Sequence, residues 1–184
     1  MRQIIQSIDI SILDFIQDNL RGGILDGVMP FITYLGSGGV FWIIAALVFI
    51  FLRKLRAIGI TVLIALILCL VIGNLGLKPL IARVRPNETF GIESLLVPAP
   101  TDFSFPSGHT MASFAAATAI FLYSKKLGLI AFALGSLIAF SRLYLYVHYP
   151  TDILAGILIG AAIGLAAAFI YKLIVKRQPS GGEA

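Results

Sequence analysis

Charge is what this chain has least of. Only 12% of its 184 residues are Asp, Glu, Lys or Arg, against about a quarter in an ordinary soluble domain. With 59% hydrophobic residues and a mean hydropathy of +0.98, the composition excludes a soluble globular protein and indicates a polytopic membrane protein of one domain. The single cysteine, Cys69, lies in an apolar run. It excludes a disulfide framework and says nothing about redox compartment. Residues 2–20 have no continuous apolar core, mixing Gln, Asp and Ser among Ile and Leu, which excludes a signal peptide. The net charge of +5 does not indicate nucleic acid, because most basic residues flank apolar runs, as membrane topology requires. Histidine is scarce too: His109 and His148 are the only two.

What is there divides into an N-terminal segment (1–23), a membrane domain (24–177) and a tail expected to be disordered (178–184). Ile5, Ile8, Ile12, Ile16 and Leu20 recur at helical spacing, so residues 4–20 form a helix that either lies at the interface or packs as a lead into the first span. Gly22-Gly23 breaks it. Residues 24–35 are apolar but rise only about 18 Å, short of a hydrocarbon core of about 30 Å. The first crossing is therefore expected to recruit part of residues 4–20 or to dip in partially. Gly36-Ser37-Gly38-Gly39 predicts a tight turn. Further spans follow over about 40–52, 57–77, 108–123 and 127–141, and a last one starts after Pro150, a favoured first-turn residue. The fold class is all-α, with about six transmembrane helices. Gly156, Gly160 and Gly164 form a small-residue stripe for close packing, either within the protomer or in a homodimer. Trp42, Tyr123, Tyr149 and Tyr171 fit an aromatic belt.

Six crossings with a cytoplasmic N-terminus put Arg2, Arg21, Arg53, Lys54, Arg56, Lys125, Lys126, Lys172, Lys176 and Arg177 inside, ten of fourteen basic residues. Lys78, Arg83, Arg85 and Arg142 remain outside, against the positive-inside rule. On this topology they share one face with His109, His148 and Asp152.

Three stretches carry chemistry. Lys78 and Arg85 are seven apart, so one helical face can present both, with Pro86 ending the segment and Arg83 falling off that face. In Phe105-Pro106-Ser107-Gly108-His109, Ser107 is a good N-cap, Gly108 allows close backbone approach, and the helix start is an anion site. His148 and Asp152 are four apart across the start of the last helix, where a carboxylate can fix the imidazole tautomer and free the other nitrogen to attack. Any one cation at a membrane surface is usually an anchor. Several recruited to one anion are not, and Arg forks onto phosphate while Lys supplies a point charge.

Lys78-x6-Arg85-Pro86, Pro106-Ser107-Gly108-His109 and Ser141-Arg142-x5-His148-x3-Asp152 together resemble the three-part signature of the type 2 phosphatidic acid phosphatase superfamily, in its integral membrane bacterial lipid phosphatase branch. The motifs occur in the right order over residues 78–152. With the six-crossing topology above, this puts a catalytic core on the outer ends of helices 3–6 and a site expected to face outward from the plasma membrane. The resemblance implies His148 as the nucleophile forming a phosphohistidine, Asp152 as its orienting partner, and His109 as general acid and then base. Lys78, Arg85, Arg142, Ser107 and the Gly108 N–H would hold the phosphate. No metal or other cofactor is implied, and two histidines with one aspartate make a poor metal cage. A bell-shaped pH dependence follows from one neutral and one protonated histidine.

The family offers undecaprenyl diphosphate, phosphatidylglycerophosphate and phosphatidic acid as substrates; undecaprenyl diphosphate is the first expectation, by family analogy alone. The loop 86–106, with Glu88, Glu93 and Asp102, is where headgroup selection is expected. Rival readings are a serine hydrolase using Ser107, His148 and Asp152, and an anion-binding or transport protein without turnover. A haloperoxidase role is set aside because that branch is soluble.

Overall fold

The computed structural model describes residues 2–92 and 94–176. The expected tail at 178–184, Arg177, Glu93 and the side chain of Arg2 lie outside the described residues. Within them the chain is helical, without a strand. Helix α1 spans Arg2–Leu20, α2 Ile24–Gly36, α3 Val40–Phe51 and α4 Arg56–Leu68. A π-helical stretch, Cys69–Leu77, extends α4 into the short α5, Lys78–Ile81. The one-turn α6, Pro86–Thr89, sits in the loop before α7, Gly108–Tyr123. Helices α8, Lys125–Tyr144, and α9, Pro150–Lys176, complete the chain.

Local chemistry sets several of these boundaries. The Ser124 hydroxyl accepts from the Leu127 N–H at 3.4 Å and caps α8. Pro150 opens α9, where its missing N–H leaves no bond unmade, and Asp152 in the first turn suits the positive end of the helix. Ala82 ends α5 in a left-handed conformation, φ 48°, which costs a residue with a Cβ about 1–2 kcal/mol. That turn is why Lys78 and Arg85 do not share a helical face as expected. Residues 82–85 leave the helix.

The apolar pattern is that of a protein whose solvent is lipid. Phe51, Leu75, Leu158 and Phe169 are exposed, while Ala115, Ala116, Ala117 and Ala119 of α7 are fully buried at the centre. Apolar contact alone does not drive helices together in lipid, so close approach of small residues carries the packing. Helix α7 sits against α4, α8 and α9. The glycine stripe of α9 faces α7: a Cβ on Gly160 would lie 2.4 Å from the Met111 carbonyl oxygen, and one on Gly164 2.6 Å from that of Ala115. The stripe is thus used within the protomer.

Cross-helix contacts trace the path of the chain. The Tyr144 hydroxyl accepts from the Gly22 N–H, Arg142 donates to Thr33, Trp42 donates to Ser113, and a Cβ on Gly59 would press on the Ala46 carbonyl. Helices α2 and α3 therefore run in one direction, from the Tyr144 end of α8 to the turn before α4, as a single kinked segment, Ile24–Phe51. Arg53–Thr89, Lys125–Tyr144 and Pro150–Lys176 are likewise long and apolar enough to span a membrane, and the 16-residue α7 is enclosed among these helices. The contacts give five passages where six were expected, because Ser37–Gly39 kinks the chain instead of reversing it. Left-handed Gly38 and Gly39, at φ 59° and 68°, make the kink.

Helix α1 lies across the Tyr144 end. Gln17 donates to the Tyr144 carbonyl, the Tyr146 hydroxyl to Asp14, and the Thr151 N–H to Asp9. Its inward face carries Asp9, Leu13 and Ile16, whereas Ile5, Ile8, Ile12 and Leu20 are exposed. Arg21 donates to the Ser94 carbonyl at this same end, so it does not join Arg53, Lys54 and Arg56 at the other end as expected.

Candidate active site

The Tyr144 end of the bundle brings the three chemical stretches together. Lys78 arrives at the end of the π-helical stretch, Arg85 on the segment that follows Ala82, His109 in the first turn of α7, Arg142 in the last turn of α8, and His148 in the α8–α9 link. A cavity of about 220 Å³ is lined by Lys78, Arg85, Asp102, His109, Arg142 and His148. A second, of about 500 Å³, shares Lys78, Asp102 and His109 with it and continues over apolar Ile43, Leu66, Leu70 and Met111. The pocket thus has a polar head and an apolar extension.

Charge in the head is unbalanced. Lys78, Arg85 and Arg142 are all buried, and among the described residues Asp102 is the one carboxylate bonded to any of them. Asp102 bridges the Lys78 ammonium and Arg85, accepting from Arg85 Nη2 at 2.6 Å. Burial works against its charge, but Lys78 and Arg85 hold the Asp102 carboxyl down to about 2. Arg142 donates to Thr33 Oγ1 at 2.8 Å, while its Nε meets no partner among the described residues. Buried cations left short of partners call for an anion.

The two histidines sit differently. His148 is fully enclosed; its Nε2 lies 3.0 Å from Arg85 Nη1, and its Nδ1 lies 3.4 Å from Ser104 Oγ and 3.6 Å from Asp152 Oδ2. Burial first, then the charges of Arg85, Arg142 and Lys78, push the His148 imidazole well below the ordinary histidine range, which favours its neutral form. His109 Nε2 lies 3.3 Å from the Ser37 hydroxyl at the α2–α3 kink.

Asp152 is held on every side. Oδ2 accepts from the Ser104 hydroxyl and from the Tyr149 N–H at 3.0 Å, and Oδ1 from Arg83 Nη1 at 2.6 Å. Arg83, which the helical spacing set aside, therefore belongs to the Asp152 cluster, as do Ser104 and Asp9. A buried serine three residues before Ser107 carries no periodic signal, and Asp9 reads as part of a polar face.

Ser107 and Gly108 are placed unequally. Gly108 lines the larger cavity. Ser107 stands at the N-cap position of α7 without making the expected side-chain cap bond. It is buried and lines neither cavity; its hydroxyl accepts from Thr110, and its N–H donates to the Asp152 carbonyl, joining α7 to α9. Among the described residues Ser104, not Ser107, is the hydroxyl in contact with His148, which removes the geometric basis of Ser107 as a nucleophile. Among the described residues no three His, Cys, Asp or Glu side chains converge as a metal cage.

Known proteins resemble the chain in sequence and in fold. A profile described as the PAP2 superfamily matches residues 54–178. An undecaprenyl-diphosphatase of Sulfolobus acidocaldarius is 36% identical over 79% of this chain and 70% of its own length. The crystal structure of a transmembrane PAP2-type phosphatidylglycerolphosphate phosphatase from Bacillus subtilis superposes with a TM-score of 0.73 at 27% identity, over 97% of this chain and 90% of that one. That of Aquifex aeolicus LpxE gives 0.67 at 30% identity, over 86% and 93%. The chain belongs to the PAP2 superfamily, as a multi-pass membrane hydrolase of phosphate esters.

Proposed function

We propose that this phosphatase removes the terminal phosphate of undecaprenyl diphosphate at the outer surface of the plasma membrane. The observation that carries a lipid phosphate substrate is the two-part cavity: three buried cations with one bridging carboxylate at its head, and an apolar extension leading away. The choice among lipids rests on the undecaprenyl-diphosphatase relative. The outward orientation rests on Arg53, Lys54, Arg56, Lys125, Lys126, Lys172 and Lys176, which gather at the end opposite the cavity.

In this reading His148 Nε2 attacks the terminal phosphorus, forming a P–N bond while the bond to the leaving oxygen breaks. His109 donates its proton to that oxygen. Water then attacks the phosphohistidine, giving a proton to His109, and the P–N bond breaks to release inorganic phosphate. Lys78, Arg85 and Arg142 neutralise the oxygens of phosphorus in flight, and the Gly108 N–H adds a donor at the start of α7; Ser107 fixes that start. Phosphoryl transfer asks a protein mainly for such positioning and positive charge.

The fold similarity to the Bacillus subtilis enzyme favours phosphatidylglycerophosphate as the second choice. Phosphate release from purified protein on undecaprenyl diphosphate, phosphatidylglycerophosphate and phosphatidic acid decides between them. The highest kcat/KM is expected with undecaprenyl diphosphate, and His148→Ala is expected to abolish turnover on all three. Preference for a glycerolipid would sink the substrate assignment. Turnover by His148→Ala would sink the phosphohistidine. Absence of release from any lipid phosphate would favour an anion-binding protein.

A further inference from the structure

Helix α1 is the one long helix outside the bundle, and it carries a carboxylate with almost no exposure to solvent. Asp9 is 1% exposed, although it lies on a helix most of whose side chains face outward. Its oxygens are fully engaged. Oδ1 accepts from the Thr151 N–H at 2.9 Å; Oδ2 accepts from Arg83 Nη2 at 2.7 Å and from the Thr151 hydroxyl at 2.6 Å. Burying a carboxylate on a surface helix is unfavourable unless its partners are fixed. All three of these donors lie within one residue of Asp152 or on the arginine bonded to it.

The chain of contacts leads to the nucleophile. Arg83 uses Nη2 for Asp9 and Nη1 for Asp152 Oδ1 at 2.6 Å and the Thr151 hydroxyl at 2.7 Å, and it stacks 3.9 Å over the Tyr149 ring. Asp152 faces His148 through its other oxygen, Oδ2. A single guanidinium is thus bracketed by two carboxylates. With Asp9 removed, only the Thr151 hydroxyl and the Tyr149 ring would orient Arg83 beside Asp152, and its full charge would draw Asp152 away from His148.

We propose that Asp9 is a positioning residue for the phosphatase reaction, holding Arg83 and Thr151 so that Asp152 stays aimed at His148. A helix outside the bundle then takes part in setting the nucleophile's geometry. The inference rests on His148 being the nucleophile, and the test separates the two ideas.

Asp9→Asn keeps the acceptor for the Thr151 N–H but places an amide N–H2 where Arg83 and the Thr151 hydroxyl donate. On the full chain in detergent, with the lipid phosphate turned over fastest in the panel above, kcat should fall roughly tenfold to a hundredfold, the range for a slight misplacement of a reacting group. KM should stay within about twofold, because Lys78, Arg85 and Arg142 are untouched. Combined with Arg83→Gln, it should cost no more than Arg83→Gln alone, because both act through one contact. Wild-type kcat in Asp9→Asn, or losses that multiply in the double variant, would overturn the proposal. If Asp9→Asn does not accumulate folded, Thr151→Val removes the hydroxyl shared by Asp9 and Arg83 and leaves both charges in place. Lowered kcat at unchanged KM then supports the proposal, and wild-type kcat overturns it. Turnover by His148→Ala would instead remove the nucleophile on which the inference rests, whatever Asp9→Asn does.

Discussion

Nε2 of His148 lies 3.0 Å from Nη1 of Arg85. A guanidinium has donors only. Nε2 is therefore the unprotonated ring nitrogen, and the proton sits on Nδ1, facing Ser104 and Asp152. The lone pair that would attack phosphorus faces the cavity, held by a cation that an arriving phosphate would claim.

The acid limb of kcat/KM should reflect this nitrogen. The groups around His148 are Arg85, Arg142, Lys78, His109, Asp102 and Asp152, and burial with the cations lowers its pKa well below 6.5. A lowered value means the ring stays neutral, and competent, until the pH has fallen well below that point. Rates measured from about pH 4 to 9, corrected for substrate ionisation, should show a bell whose acid limb falls well below 6.5. A limb at or above 6.5, with chemistry limiting, would contradict the assignment.

On the proposed mechanism, Asp102 competes with substrate for Lys78 and Arg85, which it bridges. Asp102→Asn keeps the shape and removes the charge, so inorganic phosphate should inhibit more strongly. The carboxylate is 53% exposed, so the expected gain is modest, roughly two- to fivefold in the inhibition constant. Unchanged or weaker inhibition would mean that Asp102 does not occupy the phosphate's place.

Ser104→Ala removes the hydroxyl that donates to Asp152 Oδ2. Hydrogen bonds to a charged group contribute about 1.5–3 kcal/mol, so kcat should fall at least about tenfold with little change in KM. Wild-type kcat would show that Tyr149 and Arg83 suffice to hold Asp152.

Gly160→Ala and Gly27→Ala should move stability in opposite directions. Alanine is favoured over glycine inside a helix by about 1 kcal/mol, and a Cβ on Gly27 meets nothing within 4 Å. At Gly160 it meets the Met111 backbone at 2.4 Å, and such overpacking costs about 1–3 kcal/mol. Thermal midpoints in detergent should rise for Gly27→Ala and fall for Gly160→Ala. Activity should fall with the second, because α7 and α9 carry His109 and Asp152.

The parts of the site legible in the sequence are those that local chemistry marks. A turn before an apolar run placed His109, and a proline-started helix placed Asp152 one turn beyond His148. Arg83 was not legible, because Ala-Arg-Val-Arg contains no glycine to announce the left-handed turn at Ala82. Asp9 was not legible, because its helix turns Ile5, Ile8 and Ile12 outward and a carboxylate inward. The glycines at 36–39 are compatible with a hairpin and with a kink. Which one forms depends on what receives the chain on each side, here Arg142 against Thr33 and Ser113 against Trp42.

An odd number of passages has a consequence for anyone attaching reporters to this protein. A tag placed ahead of α1 would emerge beside the phosphate pocket, whereas one placed beyond α9 would emerge on the opposite face of the bilayer. Only one of the two would then be open to a membrane-impermeant label applied to intact cells.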